Sequence, residues 1–175
     1  MELLSDDPAA WMRGLLVRYE GPLTSYATRI VGDVHLARDV VQETFLKLLR
    51  QDRTAVEPIA ARWLFAVCRN GAIDERRKGR HMTQAGTAAL SERSTTAPTA
   101  GETTERRDDL VRALQAIGAL PEGQQEVLRL KFSHGLSYQE IAEVTGLSVS
   151  HVGVKLHEGM RALRARLGVA HGGVR

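Results

Sequence analysis

A chain of 175 residues that is 43% hydrophobic holds enough apolar material for one core of ordinary size or two small ones, and aromatics at 5% argue for two small helical domains. The formal charge is only +3, and the single cysteine, Cys68, excludes an intrachain disulfide. No apolar run approaches the roughly 20 residues that span a bilayer, and the start Met-Glu-Leu-Leu-Ser-Asp-Asp-Pro lacks a basic region followed by a long apolar stretch. The sequence therefore predicts a cytoplasmic protein without membrane insertion.

Apolar residues recur at helical spacing through Trp11, Leu15, Leu16 and Tyr19, then through Leu23, Tyr26, Ala27 and Ile30, with Gly21-Pro22 punctuating the two runs. Gly32-Asp33 makes a break, and Asp33 is placed to cap a helix whose inner face is Leu36, Val40, Thr44, Phe45 and Leu48. On the opposite face Asp39, Gln42, Glu43 and Leu46 fall at i, i+3, i+4 and i+7, an acidic and amide stripe with one exposed leucine, which suits a protein partner better than DNA. After a turn at Glu57-Pro58 a further helix is predicted from about Ile59 to Lys78. Cys68 follows the apolar run Trp63-Leu64-Phe65-Ala66-Val67, where a buried structural role is expected.

From Gly79 to about residue 108 the chain turns to Thr, Ser, Ala, Gly and charges, too little apolar surface to offset the entropy of ordering, so a flexible linker is expected there. Periodicity resumes with Leu110, Leu114 and Ile117, then with Pro121 as an expected first helical residue before Val127, Leu128 and Leu130. Nothing in the first half alternates at a period of two. The expectation is an all-α fold with a first domain at 1–78, a linker at 79–108 and a second domain at 109–170.

The charge is unevenly placed. Arg62, Arg69, Arg76, Arg77, Lys78 and Arg80 stand against Asp74 and Glu75 in one stretch, and Lys155, Arg161, Arg164, Arg166 and Arg175 against Glu158 in another. Two basic stretches suggest two contacts with a polyanion.

Ser137-Tyr138-Gln139-Glu140 has the form of a capping box. A small residue at Ala142, a glycine at Gly146 and a second capping serine at Ser148, with Val152 as apolar anchor, complete a helix-turn-helix whose second helix runs to about Leu167. Burying Val149, Val152, Leu156 and Leu163 turns Ser150, His151, Val154, Lys155 and Glu158 outward. Ser148, Ser150, His151, Val154 and Lys155 are candidates for base or phosphate contact, and Arg161 and Arg164, near the far end, for phosphate. Gly153 and Gly159 each cost the helix roughly 1 kcal/mol relative to alanine, and either DNA or a neighbouring helix accounts for them.

Ala37-Arg38-Asp39-Val40-Val41-Gln42-Glu43-Thr44-Phe45-Leu46 resembles region 2.2 of the sigma-70 family. Arg62 to Asn70, with Asp74, Arg76 and Arg77 beyond, is similar to regions 2.3 and 2.4, and Leu120-Pro121-Glu122 with the helix-turn-helix is similar to region 4. The length leaves no room for regions 1 and 3, which points to the extracytoplasmic-function group. The resemblance implies a sigma factor that binds core RNA polymerase, through the beta-prime coiled coil and the beta flap, and directs promoter recognition, with an anti-sigma factor as a further partner. It implies that Asp39, Gln42, Glu43 and Leu46 meet polymerase. It implies that Arg62, Trp63, Arg69, Asn70, Asp74, Arg76 and Arg77 engage the minus-ten element, with the loop from about Arg50 to Pro58 pocketing a flipped base and Trp63 and Phe65 available for stacking. Ser148, Ser150, His151, Val154, Lys155 and Arg161 then meet the minus-thirty-five element. Gly153 and Glu158 depart from the pattern, since many family members carry arginine near these positions.

A linker of about 30 residues has a root-mean-square reach of roughly 30 Å, while elements some 17 base pairs apart, a family expectation, are separated by roughly 58 Å. Polymerase must therefore fix the spacing, and the free protein is expected to bind promoters weakly. Two other readings of the residues are a sigma-like decoy or adaptor for an anti-sigma factor and a simple helix-turn-helix regulator. Enzymatic chemistry is not expected: the sequence has no HExxH, phosphate-cradling glycine loop or paired-cysteine metal site, and His35, His81, His134, His151, His157 and His171 are scattered. No cofactor or metal is called for.

Overall fold

The computed structural model describes the backbone of residues 7–84, 111–112 and 114–168, and the side chains of these apart from 81–84. The chain divides into two compact units, Met1–Thr96 and Ala97–Arg175. The described residues are helices and short connections, without a strand. Most of the expected linker, residues 85–108, lies outside the described residues, as does Leu110.

In the first unit Asp7 opens α1 (Pro8–Val31) by accepting the N–H of Ala9, and Gly32 ends it in the left-handed conformation at φ 82°, its N–H returning to the carbonyl of Thr28. The expected punctuation at Gly21-Pro22 is corrected: the helix runs through both residues. An interior proline costs about 3 kcal/mol, because it removes one N–H and crowds the carbonyl four residues back. Full burial of Leu23 and Tyr26 offsets this, at roughly 1.5–3 kcal/mol for each large apolar side chain.

Asp33 accepts the N–H groups of His35 and Leu36 and starts α2 (Val34–Leu48). Its buried face is Ala37, Val40, Val41, Thr44, Phe45 and Leu48. Leu36, expected in that face, is 44% exposed, because it stands at the lateral edge of the stripe rather than in line with Ala37, Thr44 and Leu48. The segment expected as a loop from Arg50 to Pro58 is mostly helical. Asp52 caps the single turn α3 (Arg53–Val56), which passes through a 3-10 turn at Glu57–Ile59 into α4 (Ala60–Gln84). The last helix extends six residues past the domain edge expected at 78. Helices α1, α2 and α4 pack pairwise around Leu23, Tyr26, Val41, Phe45, Leu48, Leu64, Phe65 and Cys68. Phe65 meets the Tyr26 ring edge-on at 5.4 Å, and the Cys68 thiol points at the carbonyl of Leu23 at 3.9 Å.

In the second unit helix α5 covers residues 111–118, with residue 113 not described. The Gln125 side chain closes its end by donating to the carbonyls of Gly118 and Leu120. Pro121 is the cap of α6 (Glu122–Phe132) rather than its first residue, since its ψ of 142° is extended. Both halves of the capping box form at α7 (Tyr138–Thr145): Ser137 Oγ accepts from Glu140 N, and the Glu140 carboxylate accepts from Ser137 N. Gly146 takes the left-handed turn at φ 74°, and Ser148 caps α8 (Val149–Leu167). Val127, Leu128, Leu130, Leu136, Ile141, Val144, Val152 and Leu156 fill the core where α6, α7 and α8 meet. Val149, expected to be buried, is 42% exposed: as the first residue of α8 it precedes the turn that reaches α6. Among the described residues no helix is long and apolar enough to cross a membrane.

Candidate nucleic-acid and partner interfaces

Because α2 buries the stripe from Ala37 to Leu48, its opposite side forms a ridge on which Asp39, Gln42, Glu43 and Leu46 are all exposed. A groove runs along each flank. On the α4 side, a depression of about 410 Å³ is lined by Leu36, Asp39, Val40, Glu43 and Lys47 of α2 and by Val67, Gly71, Asp74, Glu75 and Lys78 of α4. On the α1 side a second, of about 330 Å³, takes Met12 and Leu16 with Gln42, Phe45, Leu46 and Leu49. The ridge thus parts an acid-lined groove from an apolar one. Sequence reasoning found the ridge but neither groove, because each needs a second helix. Gly71 sets how closely α4 approaches: a β-carbon there would lie 3.2 Å from Val40 Cγ1.

On α4, Arg62, Arg69 and Arg76 lie seven residues apart and form one row along the helix, and Trp63, Asn70 and Arg77 form the next. Arg62, Trp63, Arg69 and Arg76 are half-buried, and Asn70 and Arg77 are exposed. The six share one side of the helix, with Ala66 and Ile73 between the two rows. Asp74 lies at its border and lines the acid groove with Asp39 and Glu43. Phe65 is fully buried against Tyr19 and Tyr26, so its expected availability for base stacking is corrected: its ring is part of the core. The α3 segment before this helix is held at its base, where Arg53 pairs with Glu57 at 3.2 Å and lies over the Trp11 ring at 5.5 Å.

In the second unit, packing of Val152, Leu156 and Gly159 against α6 and α7 leaves Ser150, Val154, Glu158 and Arg161 as one outward stripe on α8, at i, i+4, i+8 and i+11. His151 is exposed beside it. Ser148 Oγ is taken up by the cap, accepting the His151 N–H at 3.2 Å. Lys155 is half-buried, and its side chain lies back over α6, where a β-carbon on Gly123 would stand 3.1 Å from its Nζ. Two more polar groups reach this side of the unit. Gln124 donates to the Glu158 carboxylate at 3.1 Å, and Tyr138, 44% exposed, carries Lys131 Nζ 5.5 Å above its ring. Sequence reasoning missed Gly123, Gln124, Lys131 and Tyr138 as neighbours of this face, since no spacing rule links α6 or the start of α7 to α8. Among the described residues no three His, Cys, Asp or Glu side chains gather as a metal site requires.

The sigma-70 region 2 family model matches residues 15–82, and the sigma-70 region 4 model matches residues 110–163. The chain is 35% identical over 164 residues to the ECF RNA polymerase sigma factor SigL of Mycobacterium tuberculosis, covering 91% of this chain and 90% of that protein. Among solved structures it is similar to CnrH in complex with the cytosolic domain of CnrY, with 27% identity, 94% and 91% of the two chains covered and a TM-score of 0.55. The sigma factor RpoE in complex with the anti-sigma factor NepR from Bartonella quintana shares the fold, at 21% identity, with 91% and 98% covered and a TM-score of 0.64. With both regions matched in order, and a relative this similar over nearly its whole length, the chain belongs to the sigma-70 family as a sigma factor of the extracytoplasmic-function group.

Proposed function

We propose that this sigma factor divides its work among three faces, without catalytic chemistry of its own and in the cytoplasm. Asp39, Gln42, Glu43 and Leu46 on the α2 ridge dock core RNA polymerase. The α4 face of Arg62, Trp63, Arg69, Asn70, Arg76 and Arg77, bordered by Asp74, receives the minus-ten element together with the α3 segment. The α8 face of Ser150, His151, Val154, Lys155 and Arg161 meets the minus-thirty-five element, with Ser148 fixing the start of that helix. The minus-ten and polymerase contacts belong to a first domain at 1–78, and the minus-thirty-five contact to a second at 109–170.

The observation that carries the reading is that the polar residues of the three motif sets, apart from Ser148 in its cap and Lys155 lying back over α6, stand exposed or half-buried outside the cores, while apolar residues between them fill those cores. Cations row along α4, where a nucleic-acid backbone is favoured, and carboxylates crown α2, where it is not. Because two structural relatives are described in complex with an anti-sigma factor or a cytosolic protein domain, a partner of that kind is part of the proposal. It would silence the factor by covering one of these faces.

Core affinity of the Asp39→Lys/Glu43→Lys double variant tests the polymerase face. Charge reversal at two exposed positions should lower holoenzyme formation by at least ~10-fold with the helical content of the variant unchanged. Wild-type affinity in that variant would remove α2 from the polymerase contact.

A further inference from the structure

We infer that Glu158 is a base-reading residue and selects a cytosine in the upstream promoter element, an assignment that rests on α8 being the DNA-reading helix. The packing of α8 on α6 prepares it for that task. Gly159 lets α8 approach α6 so closely that a β-carbon there would lie 2.9 Å from Leu128 Cδ1 and 3.6 Å from Gln124 Cβ. That approach brings the Gln124 side chain within reach of the preceding residue on α8, and its Nε2 donates to Glu158 Oε2 at 3.1 Å. The carboxylate is thereby oriented from one side, on the same outward stripe as Ser150, Val154 and Arg161. A tethered carboxylate is more than a solvated charge that happens to lie on this face, because part of its rotamer entropy is already spent before DNA arrives.

The chemistry of the major groove then decides what it selects. Phosphate oxygens, guanine O6 and N7 and thymine O4 only accept hydrogen bonds, so a carboxylate brought against them is desolvated without recompense. The groove offers it two donors, the amino groups of cytosine and adenine. The adenine amino group is flanked by acceptors on both sides, N7 and the paired O4, whereas the cytosine amino group has a C–H on one side. Glu158 Oε1, which accepts no hydrogen bond among the described residues, therefore pairs best with cytosine N4. Gln124 is a positioning residue for this contact. The acidic residue in a basic stretch is a selector, weakening the hold on DNA in general in exchange for discrimination at one base pair.

Selection from a library of promoters randomised in the upstream element, by holoenzyme made with the full chain, tests the assignment. The wild-type protein should prefer cytosine at one position on one strand by about 10-fold. Glu158→Ala should lose that preference and leave the other positions unchanged. Glu158→Gln should move it toward adenine, which glutamine contacts through N6 and N7. Gln124→Leu should blur the preference without abolishing it. A Glu158→Ala profile identical to wild type, with all sequences bound more tightly by the same factor, would overturn the inference and leave Glu158 as a repulsive charge. Arg161→Ala is the control for the underlying assignment. Uniform loss of use across sequences supports α8 as the DNA helix, whereas no effect of Arg161→Ala, together with no effect of Glu158→Ala, would remove both.

Discussion

Gly159 of α8 lies over Leu128 of α6 so closely that a β-carbon at the glycine would stand 2.9 Å from the leucine Cδ1, nearer than two carbons pack. The other interior glycine of that helix, Gly153, would place its β-carbon 3.9 Å from the edge of Tyr138, an ordinary contact. The two glycines therefore have different physical reasons, and opposite effects follow from replacing them. Gly159→Val should destabilise the second unit by about 1–3 kcal/mol through overpacking. Gly153→Ala should stabilise it by about 0.5–1 kcal/mol through helix propensity. Urea midpoints of the two variants should move in opposite directions; a shift of the same sign and size in both would show that the helix approach is not limited by Gly159.

The capping box at the start of α7 satisfies two free amides, one from each partner. Ser137→Ala should cost about 1 kcal/mol, read as a fall in the melting temperature of the second unit, and Ser137→Asp should recover most of it. A silent Ser137→Ala would mean that packing of Ile141 and Ala142 alone sets where the helix begins.

Asp33 has its carboxyl pKa lowered from the ordinary value of 3.8, chiefly by the N–H of Leu36, with burial opposing and the N–H and charge of His35 adding to the fall. The sign follows from linkage. A carboxyl whose folded pKa lies below its unfolded one adds stability that is complete above about pH 4 and is lost as acid protonates the folded group. Asp33→Asn keeps an acceptor for the cap but not the titration, so its stability should fall less steeply than wild type as the pH drops below about 4. Parallel acid limbs would show that the cap is not linked to this ionisation.

Burial pushes the Cys68 thiol up to about 12, with a hydrogen bond to Thr44 opposing. The folded state thus holds the neutral thiol, and the stability tied to it is present below the ordinary value of 9.0 and lost as pH rises toward about 12. At pH 8 a thiol reagent should label Cys68 at the rate of unfolding and no faster. Rapid labelling of the native protein would contradict its place beneath Leu23.

Arg161, exposed on α8, is assigned to phosphate. Arg161→Ala should lower the slope of log affinity against log salt by about one for holoenzyme on promoter DNA, at every sequence alike. Without core polymerase, promoter affinity should be weak and strongly salt-dependent. An unchanged slope would take Arg161 off the backbone.

Elements with a local cause were legible in the sequence. Asp33, Ser137, Gly146 and Ser148 mark helix ends through hydrogen bonds to residues two to four positions away, and each acts as its position implies. Pro22 misled because its local cost is outweighed by burial of the helix around it, a tertiary effect. Leu36 misled because it sits at the lateral edge of its stripe, lining a groove beside α4 instead of the core, and Val149 because it is the first residue of its helix. The outward faces of α2 and α8 followed from periodicity, whereas the α4 residues came from the uneven charge and the family resemblance. The grooves beside α2, and the contacts of Gly123 with Lys155 and Gln124 with Glu158, join residues with no fixed spacing, so nothing in the linear pattern pairs them.

The central claim is that this chain confers promoter selection on RNA polymerase. The most direct measurement is transcription by purified core polymerase on a genomic fragment library, with and without the protein, followed by sequencing of the 5′ ends. The account predicts a discrete set of new start sites that share upstream and minus-ten sequences, appear only when protein and core are both present, and vanish with the Asp39→Lys/Glu43→Lys variant. Failure of the chain to associate with core, or start sites that are the same with and without it, would contradict the account.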